Sequence, residues 1–278
     1  MLARTAKTIA HIRATQASAS TLAKSRSTHT AALVVIGDEV LTGKVQDKNI
    51  YTFARFCVER GVDVSEVSII GDKYDQIAAT LSRIGGTVSY IVTTGGLGPT
   101  HDDITYDAVA RHFARGKEYE LVVDQPTVNE LAKRNPLNAA RMRMAQFPPN
   151  SLVHRHADLW VPVVQTENVF MFPGIPALFE KMLALHGKAL FVGDSAKKVL
   201  RNYYTNMMEG DLADTLHTCQ KSYPHIPIGS YPNFTFDTTR RKEYNVKITV
   251  EGYDVEGIEA IGRILREKLT LLDITPDK

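Results

Sequence analysis

Three times between residues 31 and 113 an apolar run of strand length gives way to a segment of helical period, and this alternation constrains the fold more than any other feature of the chain. Ala31 to Ile36 (Ala-Ala-Leu-Val-Val-Ile) is apolar throughout, as a strand covered on both faces must be. A polar loop over Val40 to Asn49 leads into a helix predicted over Ile50 to Arg60, with Gly61 as its stop. Val62 to Ile70 reads as a second strand, Tyr74 to Ile84 as a second helix, Thr87 to Thr94 as a third strand and Ile104 to Phe113 as a third helix. Alternation at this short spacing gives parallel strands with right-handed crossovers, hence an open, doubly wound α/β sheet that takes ligands beyond the carboxyl ends of its strands.

Two of those strand ends carry chemistry. The third strand breaks into Gly95-Gly96-Leu97-Gly98-Pro99-Thr100-His101-Asp102-Asp103 before its helix. Glycines let a backbone take positive φ and approach a ligand closely, and the helix start behind them offers unpaired N–H groups and partial positive charge. The loop therefore suits a phosphate, with Gly95, Gly96 and Gly98 as backbone donors and Thr94 and Thr100 as hydroxyl donors, while Thr105 either adds a third hydroxyl or caps the helix. Asp102 and Asp103 would repel that phosphate unless they hold a divalent cation against it, or cap the helix. Gly37-Asp38-Glu39 ends the first strand in the same way, and its acids are either a second contribution to the metal site or ordinary loop residues. Asn49 either bonds the ligand or caps its helix.

The rest of the chain is less regular. Leu121 to Arg143 is predicted helical, Leu159 to Val164 and Asn168 to Phe172 a strand pair, and Ala177 to His186 a helix behind the tight loop Phe172-Pro173-Gly174-Ile175-Pro176. Beyond Gly187 the pattern becomes βαββα, with Val199 to Met207, Ile226 to Tyr231 and Tyr244 to Val250 as strands and helices over Leu212 to Cys219 and Val255 to Leu272. That predicts a smaller α+β subdomain over 191–278 after an α/β domain over 31–190, with Thr235 to Glu243 as an exposed hairpin loop. Residues 1–30 hold five basic side chains and no acid, and their Ser, Thr, Ala and Arg content reads as a mitochondrial transit peptide or a basic tail. Without it the net charge of +2 becomes −3, which gives no basic footprint for nucleic acid. No apolar run approaches the roughly 18 residues of a membrane span. Two cysteines, Cys57 and Cys219, read as buried apolar groups.

Gly37-Asp38-Glu39-Val40-Leu41-Thr42-Gly43 through Asn49, together with Thr94 through Thr105, resembles the molybdopterin-binding (MoaB/Mog-type) domain. Within that superfamily the pattern is most similar to CinA and to the N-terminal domain of eukaryotic FAD synthase. Met142 to Pro148, Val169 to Pro176 and Ile228-Gly229-Ser230-Tyr231-Pro232 agree, in the right order. The resemblance implies a three-layer α/β/α domain and a divalent-cation-dependent (Mg, Mn or Co) hydrolysis of the FAD pyrophosphate to FMN and AMP. It implies no FAD synthesis, because no PP-loop adenylyltransferase domain is present in these residues. Alternatives are an ADP-ribose pyrophosphatase of CinA type and a molybdopterin or flavin-nucleotide binding module that adenylates or does not turn over.

On this reading Asp102 and Asp103 are catalytic, and Asp38, Asp102 and Asp103 hold the metal. Gly37, Glu39, Asn49, Thr94, Gly95, Gly96, Gly98, Thr105, Arg141, Pro173 and Gly174 bind the substrate, the last two as an opposite wall. Relatives usually carry a basic residue soon after the asparagine matching Asn138; here Ala139-Ala140 stand there, and Arg141 or Arg143 is expected to substitute. The expected partner is a small dinucleotide, without nucleic acid or membrane, in a homo-oligomer of the mitochondrial matrix, or of the cytoplasm if the N-terminal segment is no transit peptide.

Overall fold

The computed structural model describes residues 29–193, 198–234 and 242–274. The N-terminal segment read as a targeting sequence, apart from His29 and Thr30, and most of the predicted hairpin loop at 235–243 lie outside the described residues. The chain divides into two compact units, Met1–Asp194 and Ser195–Lys278.

In the first unit the strands are β1 (Thr30–Ile36), β2 (Asp63–Ile70), β3 (Tyr90–Thr94), β6 (Leu152–His154), β7 (Val163–Thr166) and β8 (Val169–Phe172), ordered β2-β1-β3-β8-β7-β6. The first four in that order are parallel, and the β8-β7-β6 edge is antiparallel. A two-stranded ribbon pairs β4 (Val122–Val123) with β5 (Gln146–Phe147). Burial explains the continuous apolar run of β1. Leu33 and Val35 face helices α2 (Asn49–Arg60) and α7 (Pro176–Leu190), while Ala32, Val34 and Ile36 face α3 (Tyr74–Ile84) and α4 (Thr105–Ala114). The three-layer, doubly wound architecture read from the sequence is the one observed.

Several boundaries differ. The loop after β1 contains a one-turn helix, α1 (Asp38–Leu41). The stretch predicted as one helix over Leu121 to Arg143 is two, α5 (Gln125–Arg134) and α6 (Ala139–Arg143). Pro136 has no N–H to continue α5, and the Asn138 carboxamide caps α6 by accepting from the Arg141 amide at 2.8 Å. The strand expected at Leu159 begins only at Val163. Gly187 does not stop α7, which runs on to Leu190. A Cβ there would lie 2.5 Å from the Phe56 ring of α2, so this glycine permits close helix packing.

The second unit places α8 (Glu209–Ser222) and α9 (Val255–Lys268) on a four-stranded antiparallel sheet. Its strands are β9 (Val199–Thr205), β10 (Ile228–Pro232), β11 (Val246–Gly252) and β12 (Leu271–Leu272), ordered β10-β11-β9-β12. Val246, Ile248 and Val250 alternate into a core completed by Leu212, Ile258, Ile261 and Leu265. The last helix is shorter than its periodicity predicts, because Leu271 and Leu272 leave it to pair with Thr205 and Tyr204. Both cysteines are free and buried, and burial followed by the charge of Asp63 pushes the Cys57 thiol up to about 12.

β1 and β3 meet at their carboxyl ends through backbone alone. Gly95 has φ 106°, and a Cβ on it would stand 2.0 Å from the Ile36 carbonyl oxygen. Gly43, at φ 70°, has nothing within 4 Å. Gly95→Ala is therefore expected to destabilise the first unit by about 3 kcal/mol or more, adding overpacking to backbone strain. Gly43→Ala, with strain alone, should cost about 1 kcal/mol; urea unfolding of the two variants measures the difference.

Candidate active site

The chain leaves β1 for β2 on one side and returns to β3 on the other, so the carboxyl ends of β1 and β3 flank a topological switch point. Gly37 ends β1, its amide donating to Ile70 at 3.0 Å. Asp38 and Glu39 follow in the first turn of α1, exposed. A Cβ on Gly37 would overlap the Glu39 carboxylate, so the glycine leaves that side chain room to fold back over the strand end.

The loop from Gly95 to Thr105 is held by its own residues. The Gly95 amide donates to Phe172 at 3.1 Å and the Gly98 amide to the Asp103 carboxylate at 2.7 Å. Of the three glycine amides expected to face a phosphate, only that of Gly96 has no partner among the described residues. Asp103 also accepts from the Thr100 amide at 2.8 Å and from the Thr100 hydroxyl. Three donors on one carboxylate make Asp103 the organiser of the loop. Thr105 is fully buried: its hydroxyl donates to the Gly95 carbonyl and its amide to that of Gly96, each at 3.0 Å, so it ties α4 to the loop and does not face outward.

Asn49, Thr94, Pro173 and Gly174 are brought together, but as a packed junction. The Asn49 Nδ2 group donates to Thr94 Oγ1 and to the Gly174 carbonyl, both at 2.9 Å, while the Thr94 hydroxyl donates to the Pro173 carbonyl at 3.0 Å. A Cβ on Gly174 would lie 3.2 Å from the Gly95 Cα, so the expected opposite wall is in contact with the loop and encloses no gap. Asn49 is 2% exposed and its Oδ1 has no partner in the protein. A buried carbonyl oxygen left without a donor costs about 1–3 kcal/mol, which a ligand donor would recover.

The arginine that meets the loop is Arg143, donating to the Pro99 and Thr100 carbonyls at 2.5 and 3.0 Å. Arg141, expected on the substrate, gives its guanidinium to the Pro136 carbonyl of its own turn.

One acid of the site was missed in the sequence. Asp72 Oδ2 accepts from the Asp38 amide at 3.0 Å, and its Oδ1 would lie 3.3 Å from a Cβ on Gly96. Burial, with smaller contributions from the charges of Glu39, Asp38 and Asp102, raises its carboxyl above the ordinary aspartate range, outweighing the Asp38 hydrogen bond. The signal was present: Gly71-Asp72 follows β2 as Gly37-Asp38 follows β1. Asp102 is exposed and shifted the opposite way, held low first by the nearby Thr100 hydroxyl, whose one proton Asp103 also draws on, and then by its own amide and the neighbouring His101. Asp72 thus sits in the field of three further carboxylates, Asp38, Glu39 and Asp102, from the ends of β1 and β3. Among the described residues no three His, Cys, Asp or Glu side chains converge into a ready-made metal centre. The set fits a hard cation that keeps waters and ligand oxygens in its shell and takes one or two carboxylates from the protein.

The chain matches the family described as "Probable molybdopterin binding domain" over residues 32–191 and the one described as "FAD synthase, middle domain" over residues 197–278. A Caenorhabditis elegans protein named "Probable FAD synthase" is 28% identical over 263 residues, covering 86% of this chain and 50% of its own length. A Mycobacterium tuberculosis (strain ATCC 25177 / H37Ra) "CinA-like protein" is 29% identical over 269 residues, covering 86% of this chain and 59% of its own. The chain therefore spans only about half the length of the curated relatives it matches. The crystal structure of the protein CinA from Thermoplasma acidophilum superposes with a TM-score of 0.53 at 23% identity, covering 60% of this chain and all of that one, a likeness of fold. With the first family match spanning more than half of its residues, the chain belongs to the molybdopterin-binding domain family.

Proposed function

We propose that the protein acts in flavin-nucleotide metabolism as a divalent-cation-dependent hydrolase, splitting the pyrophosphate of FAD into FMN and AMP. The observation that carries this reading is a geometric one: the Asp72 carboxylate, accepting from the Asp38 amide at 3.0 Å, stands beside Gly96 of the glycine loop, whose amide has no partner among the described residues. The crowding of like charge around it costs stability and is sustained where a cationic or proton-transfer role uses it. The names of the relatives, FAD synthase and CinA-like protein, and the FAD synthase middle domain in the second unit support a flavin nucleotide as substrate.

A bound divalent cation supplies charge neutralisation at the pyrophosphate oxygens and acidifies a coordinated water. The protein's own groups divide the remaining work. The Gly96 amide donates to a phosphate oxygen, and Asn49 holds the Thr94–Gly174 junction beneath it. Water adds to one phosphorus, the P–O bond to the bridging oxygen breaks, and the proton of the water goes to a carboxylate. Asp72, half-buried beside Gly96 at the end of β2, is the carboxylate placed to accept it. Asp102, held ionised, with Asp38 and Glu39, supplies negative charge for the cation. Asp103 keeps the loop in shape.

These roles separate in variants. FAD with Mg²⁺, Mn²⁺ or Co²⁺ should yield FMN and AMP by mass detection, and no product with any of the three sinks the reading. Asp72→Asn should lower kcat by roughly 10²–10⁴-fold, the range of a lost proton acceptor. Asp102→Asn should chiefly raise the metal concentration needed for half-maximal rate. Asp103→Asn should weaken the loop and cost about 1–3 kcal/mol of stability together with activity.

The Asp72 shift also sets a pH dependence of stability. Its folded-state value lies above its unfolded value, so the folded protein binds the extra proton between the two, and stability falls as pH rises through that window. Asp72→Asn, whose amide oxygen can still accept from the Asp38 amide, should melt higher than the parent at pH 7 and lose that advantage below pH about 4. Thermal melts across pH check this, and an advantage independent of pH would contradict it.

A further inference from the structure

A groove of about 1010 Å³ opens beside the loop on its α3–α4 side, lined by Asp72, His101 and Asp102 together with Lys73, Tyr74, Asp75, Arg111, Lys117 and Tyr119. It follows α4 from Ile104 past Ala108 to Arg111, a path of about 10 Å at the helical rise. Lys73, Arg111 and Lys117 are exposed, and none forms an ion pair among the described residues. The nearby Asp107 is already engaged, accepting from the Tyr74 hydroxyl at 2.7 Å and from that of Tyr119 at 3.2 Å. Those two bonds fix both phenol rings, and the Arg111 guanidinium lies over the Tyr74 ring, 5.6 Å from its centroid.

Unpaired cations beside restrained aromatic rings in a concave site of this volume suit a small ligand that is both anionic and planar. A duplex or single strand of nucleic acid would need a continuous basic face, and here Asp72, Asp75 and Asp102 interrupt the cations. We propose that this groove binds a nucleoside 5′-phosphate, with Lys73, Arg111 and Lys117 at its phosphate and its base against the Tyr74 and Tyr119 rings. The proposal rests on the hydrolase reading for its identification of this ligand as the half of the dinucleotide that departs as AMP. It makes the groove the place where the substrate is recognised, since the loop meets only the pyrophosphate.

AMP binding tests this without turnover. Calorimetric titration with AMP in the presence of EDTA should show binding to the intact protein. Arg111→Ala combined with Lys117→Ala should weaken it at least about tenfold, as expected for lost charge-assisted hydrogen bonds. Tyr74→Leu should weaken it while Tyr74→Phe, which keeps the ring, retains most of it. Arg115→Ala, a cation outside this groove, should leave it unchanged, and circular dichroism of each variant checks folding. Absence of AMP binding to the intact protein overturns the proposal. So does an affinity indifferent to the Arg111/Lys117 change, or one equally sensitive to Arg115→Ala. AMP binding with this pattern in a protein that never hydrolyses FAD would leave the groove standing and remove the hydrolase, whereas hydrolysis with indifferent AMP binding would do the reverse.

Discussion

Everything at the candidate site depends on one backbone contact, the approach of Gly95 to the Ile36 carbonyl at the ends of β3 and β1. No side chain fits between them. The contact brings the exit of β1, with Asp38 and Glu39, against the exit of β3, with the loop that ends at Asp103. Gly174 closes on Gly95 from β8, so three strand ends meet with nothing larger than hydrogen at the junction. The polar groups displaced from this junction are satisfied within it by Asn49, Thr94 and Thr105, a network that leaves the Asn49 Oδ1 over.

The site is accordingly built in two tiers. Beneath lies a rigid layer of buried hydroxyls, carboxamide and glycine backbone that binds protein and fixes geometry. Above it lies a layer of exposed or half-exposed acids from the ends of β1, β2 and β3 that are not mutually satisfied. Asp103, though one residue from Asp102, belongs to the lower tier, since its carboxylate is spent on Gly98 and Thr100.

Much of this was legible along the chain. Tyr74–Ile84 is a helix at the residues its periodicity marks, and β1 carries the apolar run of a strand buried on both faces. Local pattern failed where distant contacts decided. The helix expected to end at His186 runs on through Gly187 to Leu190, the glycine giving room to the Phe56 ring. Leu271 and Leu272 continue a helical period but gain a strand partner in β9. Arg141 and Arg143 look interchangeable in the sequence, and only Arg143 meets the Pro99 and Thr100 carbonyls.

By itself, the sequence determined that parallel strands would end in glycines and acids, because strand period, helix period and the need for positive φ are local properties of the chain. It also carried the family likeness, which rests on the order of short motifs. Only the tertiary structure decided which acids come near one another, which amides remain free and which carboxylate is already engaged. Those are questions of hydrogen-bond partnership between segments far apart, such as Asn49 and Gly174, 125 residues from one another. A polar group's availability is fixed by what packs beside it, and that neighbour is chosen by the fold.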